Sequence, residues 1–243
     1  MSSMAGRFYV GTSGFSYPEW RGRFYPEDLP SGEMLRHYSR VFPSVEINNT
    51  FYRFPTSPQI EEWRKKTPRG FRFSVKAHRL ITHIKRLRSV SDQVRVQLER
   101  TDGLKDRRGP LLFQLPPSLR RDLPLLQEFL YGLPALPVAI EFRHHSWFVD
   151  EVYAALAAHH AVLAIMESDE DTAVMEFVGP FAYLRLHRSS YDPAAMDAWA
   201  ERIREQLGRQ KDVYAYFTHE DGAPAPVYAE QLRGLVGGPS RKA

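Results

Sequence analysis

The stretch VAIEFRHH, residues 138–145, places charged residues at the end of an apolar run. In a β-strand, side chains two residues apart lie on the same face, so Glu141 and Arg143 share one face while Ile140 and Phe142 take the other. A charge inside a protein is unfavourable unless it is paired. We therefore interpret the polar face as part of a site and the apolar face as packing against helices.

The same arrangement recurs at the ends of other strand-like segments. Each ends in polar residues on one face and apolar residues on the other. The further polar residues are Glu46, Asn48, Lys76, Gln114, Arg185 and His187, and the alternating apolar residues are Val45, Ile47, Val75, Phe113, Leu184 and Leu186. We predict that the polar set surrounds one cavity at the carboxyl ends of parallel strands.

Strand-like and helix-like segments alternate along the chain. We expect strands near 8–11, 45–48, 71–76, 111–115, 138–142, 161–166, 183–187 and 213–217, and helices near 33–41, 57–67, 91–100, 122–131, 148–159, 193–207 and 226–235. Repeated βα units predict a parallel sheet, and about eight of them in 243 residues fit one TIM-like (β/α) barrel domain over 1–243.

Local signals refine this barrel. Ser57 can cap the helix that follows it, with Pro58 at the first position. The pattern weakens over 167–180, where we expect one helix to be reduced or missing and a short extra strand at 174–178. Short mobile tails are expected near 1–6 and 237–243.

Composition excludes several classes of protein. No run of 18 or more apolar residues occurs, and no apolar stretch follows the first residues, so we expect a soluble cytoplasmic protein without a membrane partner. The chain has no cysteine, which removes disulfides, thiolate metal sites and cysteine nucleophiles. Any metal would need oxygen and nitrogen ligands, which favours manganese, magnesium or zinc over an iron–sulfur cluster.

The charge balance is mildly basic. The formal net charge is +4 and the sequence pI is about 9.3. Basic residues cluster over 76–88 and again over 105–108. Such patches can neutralise phosphates, although a solvated helix face or loop of this composition is also common.

Several motifs, taken in order, resemble one family. They are GTSGFSY at 11–17, VEINNTFYRFP at 45–55, FRFSVK at 71–76, QLPPS at 114–118, EFRH at 141–144 and Leu186-His187. This succession covers nearly the whole chain and is similar to the YecE-like family, also called domain of unknown function 72. The resemblance implies a TIM-like barrel and does not itself specify an activity.

The chain departs from that family pattern at one edge of the expected cavity. Where the family usually has glycine after His187, this chain has Arg188, and where it usually has paired asparagines after the last strand, it has Thr218-His219. An asparagine expected near the final helix corresponds to Tyr228. Any role that the resemblance implies for that edge is therefore open.

Glu141 and Arg143 are the strongest chemical candidates. A carboxylate and a guanidinium on one face can orient a phosphate or carboxylate, with Glu141 as a base or metal ligand. The alternative is an ion pair that braces the barrel.

Glu46 with Asn48 forms a second candidate group, and the following loop holds Asn49 and Tyr52. Carboxylates beside amides suit a sugar-like ligand, which needs both donors and acceptors. The alternative for the asparagines is that they satisfy loop backbone groups.

Lys76 and His187 end their strands on the same face as the carboxylates. Lys76 can bind a phosphate or transfer a proton, and His187 with Glu46 and Glu141 can form a metal site, although no H-E-x-x-H motif is present. Aromatic residues near the mouth can stack on a base or sugar, or they can simply pack.

Two classes of function fit these residues. In the first, the barrel is an enzyme, hydrolase-like or isomerase-like, that acts on a phosphorylated or sugar-containing substrate or on a nucleic-acid phosphodiester. Glu46, Glu141, Lys76 and His187 would then be catalytic, and Asn48, Tyr52, Gln114, Arg143 and Arg185 would bind substrate. In the second, the same cavity binds nucleic acid or a small ligand without turnover.

Overall fold

Eight parallel strands close into a barrel in chain order, from β1 beside β2 round to β8 beside β1. This arrangement is seen in a computed structural model that describes residues 5–170, 174–218 and 225–237. The strands are β1 Phe8–Ser13, β2 Ser44–Ile47, β3 Arg72–Lys76, β4 Arg108–Gln114, β5 Val138–Glu141, β6 Val162–Ser168, β7 Ala182–His187 and β8 Val213–Thr218.

Helices surround the barrel, as the alternating pattern predicts. They are α1 Met34–Val41, α2 Ser57–Lys66, α3 Ser91–Thr101, α4 Leu123–Tyr131, α5 Asp150–Ala158, α6 Pro193–Gly208 and α7 Ala225–Gly237. Asp122 caps α4 by accepting a hydrogen bond from the Leu125 amide at 3.1 Å. The predicted cap of α2 is wrong by one residue, because Thr56 accepts the amide of Gln59 at 3.4 Å and Ser57 lies inside the helix.

The connection between β6 and β7 contains no helix in its described residues, which confirms the weak pattern there. The extra strand predicted at 174–178 is wrong, since these residues form no strand pairing. The physical reason is that a closed barrel has no free strand edge to pair with. Phe177 and Val178 instead pack against the core. The expected tails at 1–6 and 237–243 fall mostly outside the described residues.

The predicted alternation of faces is confirmed. The apolar residues that alternate with the polar set, together with Ile140 and Phe142, lie in the layer between the strands and the helices. A separate cluster fills the barrel interior with small aliphatic and aromatic residues, among them Tyr9, Tyr183, Tyr214 and Tyr216. The rings of Tyr9 and Tyr214 stack with their centroids 4.7 Å apart. These rings form a floor beneath the polar residues at the carboxyl ends of the strands.

No helix in the described ranges is long and apolar enough to cross a membrane.

Candidate functional site

Arg185 joins the two carboxylates that the sequence places at the barrel mouth. It projects from β7 into the interior and is 2% exposed, and Glu46 and Glu141 are completely buried. Its Nη1 donates to Glu141 Oε2 at 2.6 Å, its Nη2 to Glu46 Oε1 at 2.9 Å and its Nε to Glu46 Oε2 at 3.0 Å. One guanidinium therefore holds carboxylates from β2 and β5 together across the barrel.

Arg143 extends this network toward solvent. Its Nε donates to Glu141 Oε1, and its side chain is 24% exposed. Burial alone would raise the pKa of Glu141, but the charges of Arg185 and Arg143 outweigh it and lower the pKa to about 2. Burial likewise opposes ionisation of Glu46, but the charge of Arg185 and hydrogen bonds to the carboxylate hold its pKa below its usual value. Both carboxylates are therefore anionic at neutral pH, and Arg185 is cationic.

Two further side chains complete the surroundings of Glu46. Tyr183 donates its hydroxyl to Glu46 Oε2 at 2.7 Å, and Ser13 donates to Oε1. The sequence interpretation missed both. Tyr183 could have been found, because it lies two residues before Arg185 on the same strand face. Ser13 reaches Glu46 because these two residues are register partners in adjacent strands.

Lys76 ends β3 at the same mouth without joining the ion-pair network. Among the described residues its ammonium makes no ion pair within 4 Å with a carboxylate; its Nζ lies over the ring of Phe51, 4.5 Å from the centroid. Burial and, next, the charge of Arg185 lower the pKa of Lys76 to about 8. A substantial fraction of this amine is therefore neutral near physiological pH.

Four buried polar atoms lie at the ends of the strands without a hydrogen-bond partner in the described part of the chain. They are Asn48 Oδ1, Gln114 Oε1, His187 Nε2 and Thr218 Oγ1. Burial and the charge of Arg185 lower the pKa of His187 to about 3, so its ring is neutral at physiological pH. Leaving a buried polar group unsatisfied costs about 1–3 kcal/mol. A bound polar ligand or water would remove this penalty.

Some predicted residues lie at the edge of this arrangement or away from it. Tyr52 is 69% exposed at the rim, next to Phe51. Thr12 and Ser13, in the first family motif, are buried and hydrogen-bonded to protein groups. Arg107 and Arg108 lie at the start of β4, at the opposite end of the barrel from the mouth.

The carboxylates do not fit the metal site that the sequence allows. The guanidinium of Arg185 lies between Glu46 and Glu141 and donates hydrogen bonds to both, in the place that a metal cation would need. Within the residues that the structure describes, no group of three or more His, Cys, Asp or Glu side chains could hold a metal ion. We therefore route no chemical step through a metal.

The residues that depart from the family pattern form one cluster beside the mouth. Arg188 lies over the ring of Tyr191, 5.8 Å from the centroid, and within 3.8 Å of both Glu167 and Asp169. Tyr228 packs against the same Tyr191 ring, with centroids 5.4 Å apart. These substitutions thus build an aromatic and charged rim. His219 lies outside the described residues.

The closed parallel barrel, with its polar residues at the carboxyl ends of the strands, defines a TIM-like α/β barrel protein. The chain belongs to the family described as "Protein of unknown function DUF72", which matches residues 9–243. This establishes the membership that the motifs indicate.

Relatives span the same length. UPF0759 protein YunF of Bacillus subtilis (strain 168) is 24% identical, over 94% of each chain. The crystal structure of the DUF72 family protein TM1631 from Thermotoga maritima MSB8 is 26% identical, with a TM-score of 0.85 over 96% of this chain and 100% of that one. The DUF72 family protein EF0366 from Enterococcus faecalis V583 is 19% identical, with a TM-score of 0.80 over 98% and 100%.

Proposed function

We propose that this protein is an enzyme that acts at the carboxyl end of its barrel on a phosphorylated or sugar-containing substrate. The observation that carries the proposal is the set of four partnerless buried polar atoms of Asn48, Gln114, His187 and Thr218, at the mouth that Lys76 also borders. Convergent polar groups at this end of a barrel are the usual form of its active sites.

The balance of charge supports an anionic substrate. Two carboxylates, Glu46 and Glu141, face two guanidiniums, Arg185 and Arg143, so this network is neutral by itself. The ammonium form of Lys76 is then an excess positive charge at a half-buried position. A phosphate or carboxylate on the substrate would compensate it, and Arg143 is exposed enough to bind the same group in a bidentate manner.

The site residues divide into three roles in this proposal. Glu46 and Arg185 are fully engaged with protein groups and hold the constellation in place. Asn48, Gln114 and Tyr52 recognise hydroxyl groups. Lys76, His187 and Glu141 transfer protons at the reacting bond. An anion that draws Arg143 away from Glu141 would raise the pKa of that carboxyl and make it a better base.

A neighbouring cleft offers room for the rest of the substrate. It has a volume of about 440 Å³ and lies between the loop after β1, the end of β2 and helix α2. Asn48 lines it as well as the mouth, and Phe15 and Tyr17 supply ring surfaces beside the polar Gln59 and Lys66. Rings together with polar groups are typical of sites that bind sugars.

We expect Arg143→Gln to weaken the binding of inorganic phosphate and of sugar phosphates by about tenfold or more, since a charge-assisted bidentate contact of about 1.5–3 kcal/mol is lost. Isothermal titration calorimetry measures the affinity. Glutamine still donates a hydrogen bond toward Glu141, and a thermal melt checks that the variant folds.

Arg107→Gln is the matched control, because it removes the same charge at the opposite end of the barrel. It should leave the affinity unchanged. Equal weakening by both variants would place the anion on the surface and contradict the proposed site. Phosphorus NMR of a sugar-phosphate panel with the wild type then tests turnover, and we expect any new resonance to be lost in His187→Asn.

A non-catalytic nucleic-acid-binding protein is the second candidate. The segment after β3 carries the basic residues Arg79, Lys85, Arg86 and Arg88, and it starts at the same mouth as Lys76. Arg86, Leu87 and Ser89 have positive φ angles of 49°, 68° and 49°, an uncommon backbone that often occurs at functional sites.

This candidate predicts that the logarithm of the affinity for a short duplex or single strand falls linearly with the logarithm of the salt concentration, because phosphate contacts release counterions. Fluorescence anisotropy across a salt series measures it. Absence of binding at low salt would reject this candidate and leave the enzyme that acts on a small substrate as the proposed function.

A further inference from the structure

Lys76 has the surroundings of a reactive amine. Its side chain is only partly exposed at the end of β3, with the ring of Phe51 on one side, and that ring in turn contacts His83 at a centroid distance of 4.8 Å. As described above, its ammonium lacks a carboxylate partner within the described residues. A buried lysine without a counter-ion favours the neutral amine, which is the nucleophilic form.

Burial is the largest cause of the lowered pKa of Lys76, and the charged groups on the surrounding strands act in opposite directions. Glu46 and Glu141 favour the ammonium, whereas burial, Arg185 and Arg143 oppose it, and the net result is a pKa of about 8. His83 has a pKa below its ordinary value, through burial first and Lys76 next, so it adds no positive charge at neutral pH. The two carboxylates cannot turn fully to Lys76, because Arg185 already holds both.

We propose that Lys76 is a nucleophile that forms an imine with the carbonyl carbon of an aldehyde or ketone bearing a phosphate group. This inference rests on the proposed function and narrows its substrate class to carbonyl compounds. Arg143 would bind the phosphate, and the partnerless atoms of Gln114 and His187 would contact the carbonyl oxygen as it becomes a hydroxyl group.

The atoms and electrons of this step balance without a cofactor. The amine nitrogen forms a bond to the carbonyl carbon, the carbonyl oxygen gains a proton and the nitrogen loses one, which gives a carbinolamine. Its hydroxyl group then leaves with a proton as water while the nitrogen lone pair forms the C=N bond. The protonated imine that follows can accept electrons from a neighbouring bond, as covalent lysine catalysis requires.

Reductive trapping tests the proposal directly. The full-length protein is incubated at pH 7 with glycolaldehyde phosphate and sodium cyanoborohydride, and the product is analysed by intact mass and peptide mapping. We expect one adduct per chain, on Lys76, formed about tenfold faster than on other lysines. At pH 7 an amine with a pKa of about 8 has about 300-fold more of its neutral form than an amine with the ordinary pKa of 10.5. Its lower basicity makes the neutral amine a weaker nucleophile, which offsets part of that gain.

Two variants make the result decisive. Lys76→Arg keeps the positive charge but cannot form the imine, so it should lose the adduct while it retains phosphate binding. Lys65→Arg is the matched control, because Lys65 lies on α2 with 78% of its side chain exposed, and it should be labelled like the wild type. An adduct spread over several lysines, or one that persists in Lys76→Arg, would overturn the proposal.

These experiments distinguish failure of the imine proposal from failure of the proposed function on which it rests. Phosphate binding that depends on Arg143 without selective trapping rejects the imine and leaves the phosphate site. If Lys76 traps glycolaldehyde as fast as glycolaldehyde phosphate, Lys76 is a nucleophile but the phosphate group does not contribute to substrate recognition. A labelling rate that rises with pH and levels off above about pH 8 would be the signature of this amine, and a rate that is flat over pH 6–9 or still rises tenfold between pH 8 and pH 9 would contradict it.

Discussion

Replacing Arg185 by alanine is expected to lower the free energy of unfolding by about 3–5 kcal/mol, the range for breaking a buried ion pair by removing one partner. The reason is that Glu46 and Glu141 are completely buried and both depend on this guanidinium. Without it, two buried anions would face each other across the barrel interior. Urea denaturation monitored by circular dichroism measures the change.

The surface provides a matched control for this substitution. Arg209 pairs with Glu205, and both side chains are more than half exposed, so Arg209→Ala should cost less than about 1 kcal/mol. Adding Glu46→Gln and Glu141→Gln to Arg185→Met removes all three charges and should recover part of the stability. If Arg185→Ala and Arg209→Ala had the same effect, the network would not stabilise the fold.

Acid should destabilise the protein through the same network. The pKa of Glu141 is about 2 in the folded state against 4.5 ordinarily, which corresponds to about 3 kcal/mol of stability from this group. A carboxyl group whose pKa is lowered by folding contributes its full stability when the pH is above its pKa in the unfolded state. This stability is lost as the pH falls toward its pKa in the folded state. The free energy of unfolding should therefore decline between about pH 5 and pH 2.

Glu141→Gln isolates this contribution. The variant lacks the titrating group, so its stability should depend less steeply on pH over this range, and the difference from wild type should narrow as the pH falls. Glu205→Gln is the control at an exposed ion pair and should keep the wild-type slope. Parallel pH profiles for wild type and Glu141→Gln would show that this carboxyl does not drive acid unfolding.

Sequence periodicity was sufficient for the strand faces, because it depends on local geometry. Glu46, Lys76, Gln114, Glu141 and Arg185 all lie on the predicted inner face, since a strand alternates its side chains whatever it packs against. The interruption of the pattern also predicted the absence of a helix from the described residues between β6 and β7. The extra strand predicted at 174–178 is wrong. A strand needs a free edge to pair with, and the closure of the barrel, which the local sequence does not show, removes that edge.

The local pattern could not predict which charged side chains form ion pairs with each other. Nothing in the local pattern says that Arg185 holds Glu46 and Glu141 at once, since these residues come from β7, β2 and β5 and meet only across the closed barrel. Ser13 and Tyr183 join Glu46 for the same reason. Their contacts depend on strand register and barrel diameter.

The amino-acid order alone therefore specifies the kind of barrel and the polar character of its mouth, because alternation and βα repetition act over a few neighbouring residues. Closure of the barrel specifies the chemistry. It pairs two carboxylates with two guanidiniums, and it leaves the ammonium of Lys76 at the same mouth without a carboxylate partner among the described residues. Electrostatic energies depend on distance and burial, and both exist only once strands that are far apart in the chain are brought together.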